Sequence, residues 1–132
     1  MSETSTVTEI ARNTIRLEIQ SLKSLGESIG PHFDQVVQLI HQSKGKVVVT
    51  GVGKSGIIAM KIAATLSSTG TPSFYLHAAD ATHGDLGMVE KRDVVIGISK
   101  SGNSPEIKDL IPFLKNYGNT LIGMTANAES FL

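Results

Sequence analysis

Two short loops hold the side chains that could do chemistry. The first, Gly51-Val52-Gly53-Lys54-Ser55-Gly56, sets an ammonium and a hydroxyl among three glycines. The second, Ser99-Lys100-Ser101-Gly102-Asn103-Ser104, brings the hydroxyls of Ser99, Ser101 and Ser104 to the start of a helix. Short hydroxyls, free backbone N–H groups and the positive end of a helix together suit a phosphate monoester, which presents several acceptor oxygens. Each loop alone has a plainer explanation. Glycines after a strand often serve only to let a helix pack closely, and a lone serine before a helix is commonly a cap or a turn former. Three serines beside a Lys54-Ser55 loop favour the phosphate.

Two other anion motifs share part of this spelling. Gly51 to Gly56 reads GxGxxG, a dinucleotide fingerprint, but that site needs an acid at the end of the next strand, which here ends Leu76-His77 with Asp80 following late. A dinucleotide would also have no use for a second serine cradle. Gly53-Lys54-Ser55 resembles the tail of a P-loop, yet the glycine required five places earlier is Val48.

Strands and helices must alternate to present both loops. Lys46 to Gly56 opens with three consecutive valines, a strand buried on both faces, and runs through the glycine turn into a helix from Ile57. Ser73–His77, Asp93–Ile98 and Asn119–Met124 read as further strands, and Ala78 to Met88 as a short helix followed by a loop. Pro105 to about Asn116 reads as a helix with Ser104 as N-cap, and Pro112 should kink it or open its first turns. Upstream, residues 1–5 should fray. Val7, Ala11, Ile15, Ile19, Leu22, Leu25 and Ile29 form one helical stripe, which would cover the sheet or a second subunit. Gly30-Pro31 restarts the pattern with Phe33, Val36, Val37 and Ile40. The alternation implies an α/β fold, a parallel sheet flanked by helices, with ligand bound at the carboxyl ends of the strands.

Composition narrows the partners. The 132 residues fit one domain, and 12 basic against 12 acidic side chains leave no positive excess to hold a nucleic acid. No apolar run is long enough to span a bilayer, the first 20 residues lack the apolar core of a signal peptide, and cysteine is absent. Cytoplasmic location is the expectation.

Three further segments carry a resemblance. Ser68-Thr69-Gly70-Thr71-Pro72, His83-Gly84-Asp85-Leu86-Gly87-Met88 and Ser101-Gly102-x-Ser104-x-Glu106, with the valine strand and GKSG, resemble the sugar isomerase (SIS) domain and within it the arabinose-5-phosphate isomerases. The likeness covers about residues 30–125. It implies an α-β-α sandwich of Rossmann-like type with five parallel strands. It also implies interconversion of D-arabinose 5-phosphate and D-ribulose 5-phosphate through an enediol(ate), a step toward 3-deoxy-D-manno-octulosonate and lipopolysaccharide. Such a shift needs a base, an acid and charge stabilisation, and no cofactor.

By that resemblance Lys54, Glu106 and His83 are the catalytic candidates. Gly70, Thr71 and His83 join Ser55, Ser99, Ser101 and Ser104 as substrate contacts, and Asp109 to Gly118 overlaps a substrate segment. His77 falls where some members hold an inhibitory zinc. A homo-oligomer, commonly a tetramer, is implied as well. The chain departs from the pattern at Ala78, Lys100 and Asn103. A second catalytic glutamate, a further histidine, the fifth strand and a pair of CBS modules would follow residue 132. The expectation is therefore an N-terminal SIS portion, truncated after the fourth strand, that binds sugar phosphate with weak or no turnover. The competing reading is a non-catalytic sugar-phosphate regulatory domain. Regulators of that kind usually carry an N-terminal DNA-binding motif, and residues 1–30 read only as one long helix.

Overall fold

The computed structural model describes residues 6–132, so the five residues expected to fray lie outside the described chain. It resolves into two compact units, the first ending at Gln35 and the second running from Val36 to Leu132.

In the first unit, α1 (Val7–Ser28) opens on a reciprocal cap. The Thr6 hydroxyl accepts from the Glu9 N–H at 3.2 Å, and the Glu9 carboxylate accepts from the Thr6 N–H at 2.7 Å. These bonds hold the Glu9 carboxyl below its usual pKa. No residue of α1 is buried. Within this unit Ile15, Ile19, Leu22 and Leu25 are all about half exposed or more.

The second unit begins within α2 (Pro31–Gln42) and contains β1 (Val47–Gly51), α3 (Gly53–Ser68), β2 (Ser73–His77), α4 (Ala78–Ala81), a 3₁₀ turn at Asp85–Met88, β3 (Val94–Ile98), α5 (Pro105–Tyr117) and β4 (Thr120–Met124). The four strands are parallel in the order β2-β1-β3-β4. Alternate side chains serve opposite faces. Val47, Val49, Ile96 and Ile98 pack with Ala59 and Ala63 of α3, joined at the edge by Ile40 of α2. Val48, Leu76 and Val95 pack with Ala78 and Ala81 of α4 and with Ile107, Leu110, Ile111 and Leu114 of α5. Each buried valine, leucine and isoleucine among them contributes about 1.5–3 kcal/mol by leaving water, and each alanine less. Pro112 does not open α5, which runs unbroken through it. Proline there removes one N–H donor, and the four buried apolar residues of the helix outweigh that loss.

The strand order fixes where a ligand can sit. From β1 the chain steps outward to β2, then returns across to place β3 on the other side of β1. Between the carboxyl ends of β1 and β3 the winding direction reverses, which leaves a crevice at that edge.

Candidate functional site

Both loops of interest open from that crevice. Gly51 at the end of β1 stands opposite Ile98 at the end of β3, the last rung of their ladder. The three glycines of the first loop have different jobs. A Cβ on Gly51 would lie 3.0 Å from the Ile98 carbonyl oxygen and 3.1 Å from the Ser55 carbonyl carbon, and one on Gly56 would lie 2.7 Å from the Tyr75 hydroxyl. Those two glycines therefore permit close helix–strand packing, the plainer of the readings. Gly53 has φ +57° with open space beside it, so the turn itself demands glycine there. The Tyr75 hydroxyl donates to the Gly51 carbonyl at 2.9 Å and ties the loop to β2. Burial, and then the nearby Asp80 charge, push the Tyr75 phenol above its usual pKa.

In the second loop the hydroxyls can be counted. Ser99 is buried; its oxygen accepts from the Gly102 N–H at 3.1 Å and shares a hydrogen bond of 3.0 Å with the Ser104 hydroxyl. Whichever of that pair donates, one O–H remains free. Ser101 accepts from the Asn103 N–H at 3.2 Å, which leaves its own O–H to give. Ser104 does occupy the N-cap position of α5, but its side chain makes no capping bond. The hydroxyl is spent on Ser99 instead, so the expected capping role is corrected to a serine–serine link. Among the described residues no side chain caps the first-turn N–H groups of Glu106 and Ile107, and they add donors at the same corner.

Val52, Ser55, Ile98, Ser99, Lys100, Ser101, Ser104, Ala126 and Asn127 line one open hollow of about 440 Å³. The four serines singled out from the sequence thus meet. The wall formed by Ala126 and Asn127 was not foreseen. It follows β4, the next strand in the sheet, so its signal was a third strand-end loop whose position depends on strand order. This segment is bonded to the serine loop: Ala126 N–H donates to the Lys100 carbonyl at 3.1 Å, Phe131 N–H to Asn103 Oδ1 at 3.2 Å and Leu132 N–H to the Gly102 carbonyl at 3.0 Å. Gly102, at φ +68°, is packed so closely on Ser130 that no side chain fits there.

Other candidates fall outside the lining. Lys54, the second residue of α3, is exposed, and Glu106, the second residue of α5, is half-buried two residues beyond Ser104. His83 is exposed between α4 and the 3₁₀ turn. Gly70 and Thr71 precede β2 and so lie at the amino edge of the sheet, a full strand away from the hollow, roughly 16 Å at the usual rise. One chain does not bring them to the serines. The segment from Asp109 to Gly118 runs down α5, away from its N-terminal corner. His77 ends β2, its ring edge-on to Tyr75 and its Nδ1 3.7 Å from Asp80. Two donors fall short of the three or four that zinc takes, and among the described residues no group of three or more His, Cys, Asp or Glu converges. The residues present do not build a complete metal site at His77.

A second hollow of about 330 Å³, lined by Leu86, Gly87, Val89, Phe113, Leu114 and Tyr117, offers little beyond apolar surface and one phenol. Its chemistry gives an anion nothing to bind. Among the described residues no helix is long and apolar enough to cross a membrane.

Comparison with known proteins points the same way. The SIS domain family model matches residues 39–132. Arabinose 5-phosphate isomerase KdsD of Pseudomonas aeruginosa is 50% identical over 130 residues, covering 98% of this chain and 40% of the relative. Arabinose 5-phosphate isomerase GutQ of Escherichia coli K12 is 49% identical over 119 residues, covering 90% of this chain and 37% of the relative. Among solved structures, E. coli CFT073 c3406 in complex with arabinose 5-phosphate superposes with a TM-score of 0.84 at 46% identity, covering 97% of this chain and 70% of that one. The chain thus spans about two-fifths of the length of the curated relatives it matches.

Proposed function

Because this chain belongs to the SIS domain family, we propose that it is the phosphosugar-binding part of an aldose–ketose isomerase acting on D-arabinose 5-phosphate. The observation that carries the reading is the single hollow between β1 and β3, where Ser55, Ser99, Ser101 and Ser104 meet the N-termini of two helices. The phosphate sits among the serine hydroxyls and helix N–H groups, leaving the sugar to extend toward the loop residues around it. Gly70 and Thr71 reach a sugar only from another copy of the chain.

In the reaction, a base takes the proton from C2 of the open-chain aldose, the C1 carbonyl oxygen gains a proton, and an enediol(ate) forms. Loss of the O2 proton and delivery of a proton to C1 then give the ketose, with atoms and charge conserved. Glu106 is the proposed proton carrier, Lys54 stabilises the enediolate oxygen, and His83 holds a hydroxyl or relays a proton. Run from D-ribulose 5-phosphate, the same equilibrium forms D-arabinose 5-phosphate and so supplies the precursor of 3-deoxy-D-manno-octulosonate. A coupled assay for ribulose 5-phosphate tests this reading in the chain and in a longer relative. Glu106→Gln is expected to lower turnover by about a hundredfold or more, the range of a positioned acid–base group. Unchanged turnover in the longer protein would remove Glu106 from the chemistry.

A second reading, sugar-phosphate binding without turnover, has one observation in its favour. No carboxylate or imidazole lines the hollow; its ionisable member is Lys100. Tight binding of the sugar phosphate with no isomerisation in the longer protein would select this reading.

A further inference from the structure

A phosphate monoester near neutral pH carries about 1.5 to 2 negative charges. Each of the two helix N-termini at the hollow offers roughly half a positive charge, about one in total. Hydroxyls add hydrogen bonds but no net charge. About half a unit to one unit of charge is left for a side chain to balance. Among the residues lining the hollow, Lys100 alone carries a positive charge, and no acid lines it. Lys54, the other lysine of the two loops, is outside the lining.

The backbone of Lys100 is also unusually well held for an exposed loop residue. Its carbonyl accepts from the Ala126 N–H at 3.1 Å and from the Thr125 hydroxyl at 3.3 Å. The residue before it, Ser99, is buried, and the Ser99 N–H donates to the Met124 carbonyl at 3.1 Å. The Lys100 side chain makes no ion pair among the described residues. A held backbone, an ammonium without an acidic partner and a place on the hollow's wall are what a charge clamp requires.

We infer that Lys100 is the phosphate-neutralising residue of the hollow and sets its preference for phosphorylated over neutral sugars. This assignment rests on the phosphosugar reading above and deepens it. The segment after β4 then acts as a positioning strap, holding the lysine at the rim through its carbonyl.

The test is calorimetric titration of the chain with D-arabinose 5-phosphate and with D-arabinose, at low and at high salt. Wild type, Lys100→Met, Lys100→Arg and Ser104→Ala are compared. Lys100→Met is expected to weaken binding of the phosphorylated sugar about tenfold, as loss of one charge-assisted contact does. It should flatten the salt dependence and leave the neutral sugar unaffected, while Lys100→Arg restores most of the affinity. The exposed position of residue 100 makes folding of these variants a routine check by circular dichroism. If wild type binds the sugar phosphate and Lys100→Met matches it within twofold, the clamp is wrong while the hollow stands. Equal weakening toward both sugars would also overturn it. If wild type shows no preference for the phosphorylated sugar, or Ser104→Ala binds it as well as wild type, the phosphosugar reading fails and takes the clamp with it.

Discussion

The two ends of the same four strands are both polar and yet built for different purposes. At the amino end most of the polar groups consume one another, with the buried Asn119 Oδ1 left without a partner. Asp93 is buried, and its carboxylate accepts from the Lys46 N–H and the Glu90 N–H, each at 2.8 Å. Asn119 donates to the Glu90 carbonyl at 2.8 Å and to the Asp93 carbonyl at 3.1 Å. Lys46 and Arg92 both pair with Glu90 at 3.0 Å. At the carboxyl end, hydroxyls and helix N–H groups keep donors to spare around an open hollow. A charged cluster is thus no mark of a binding site; spare donors gathered around an open hollow are. Four ionisable groups tie strands together at one edge, and one lysine with a few serines makes the ligand seat at the other.

That contrast can be broken most severely at the amino end. Asp93→Ala removes a buried carboxylate and leaves two part-buried backbone donors without their acceptor, which should cost about 2–5 kcal/mol of stability, read as a lower denaturant midpoint. Sugar-phosphate affinity should be unchanged under conditions where the variant remains folded. A loss of affinity without loss of stability would show that the two ends are not independent.

At the carboxyl end the largest structural effect should come from Gly56→Ala, whose new methyl meets the Tyr75 hydroxyl. Overpacking of that kind costs roughly 1–3 kcal/mol. In a Tyr75→Phe background the tightest contact is relieved and the Gly51 carbonyl oxygen at 3.1 Å remains, so the two changes together should cost less than their sum in a double-mutant cycle. Strict additivity would contradict the packing role given to Gly56.

Ser104→Ala separates stability from binding. An N-cap serine is worth about 1 kcal/mol to its helix. The hydroxyl here is bonded to Ser99 rather than to the helix, so the cost to stability should fall below that, while affinity for the sugar phosphate drops about tenfold. A full capping loss with intact affinity would reverse the assignment.

The smallest effects should appear in the pH profile, one at each end. The hydrogen bond from Lys46, with the charge of Arg92 next, lowers the Glu90 pKa in the folded chain. Its stabilising effect is present above the unfolded value near 4 and is lost as pH falls through the folded one. Tyr75 is shifted upward by burial, so its contribution is present below about 10 and disappears as pH rises through the folded value. Glu90→Gln should flatten the acid arm of the stability curve. Tyr75→Phe should flatten the alkaline arm in part, since Lys46, raised chiefly by its bond to Glu90, titrates in the same direction.

Much of this was legible in the residues. Val47 to Val49, with no polar interruption, announced a strand buried on both faces, and the glycine turn after it announced the corner. All four strands and the serine loop fell where the pattern put them because each is a local signal. What escaped depended on the third dimension. Whether β3 lies beside β1 is a matter of strand order, and only that order brings Ser55 to Ser99 and delivers Asn127 to the same hollow. Ser104 was misread because the spelling Ser-Pro before a helix fits a cap well, whereas Ser99, five residues away, competes for its hydroxyl. The stripe of α1 was legible as an apolar face, but amphipathicity does not name what covers it. Gly70 and Thr71 shared a family pattern with the serines, yet the strand between them places them at opposite edges.

The most direct test follows backbone amides by NMR while D-arabinose 5-phosphate is added. The account predicts that the largest shifts fall at the corners of β1 and β3, on Gly53 to Gly56 and on Lys100 to Ile107, with the amides around Lys46, Glu90 and Asp93 unmoved. Shifts concentrated at that amino-end cluster, or along the groove of Leu86, Phe113 and Tyr117, would contradict it.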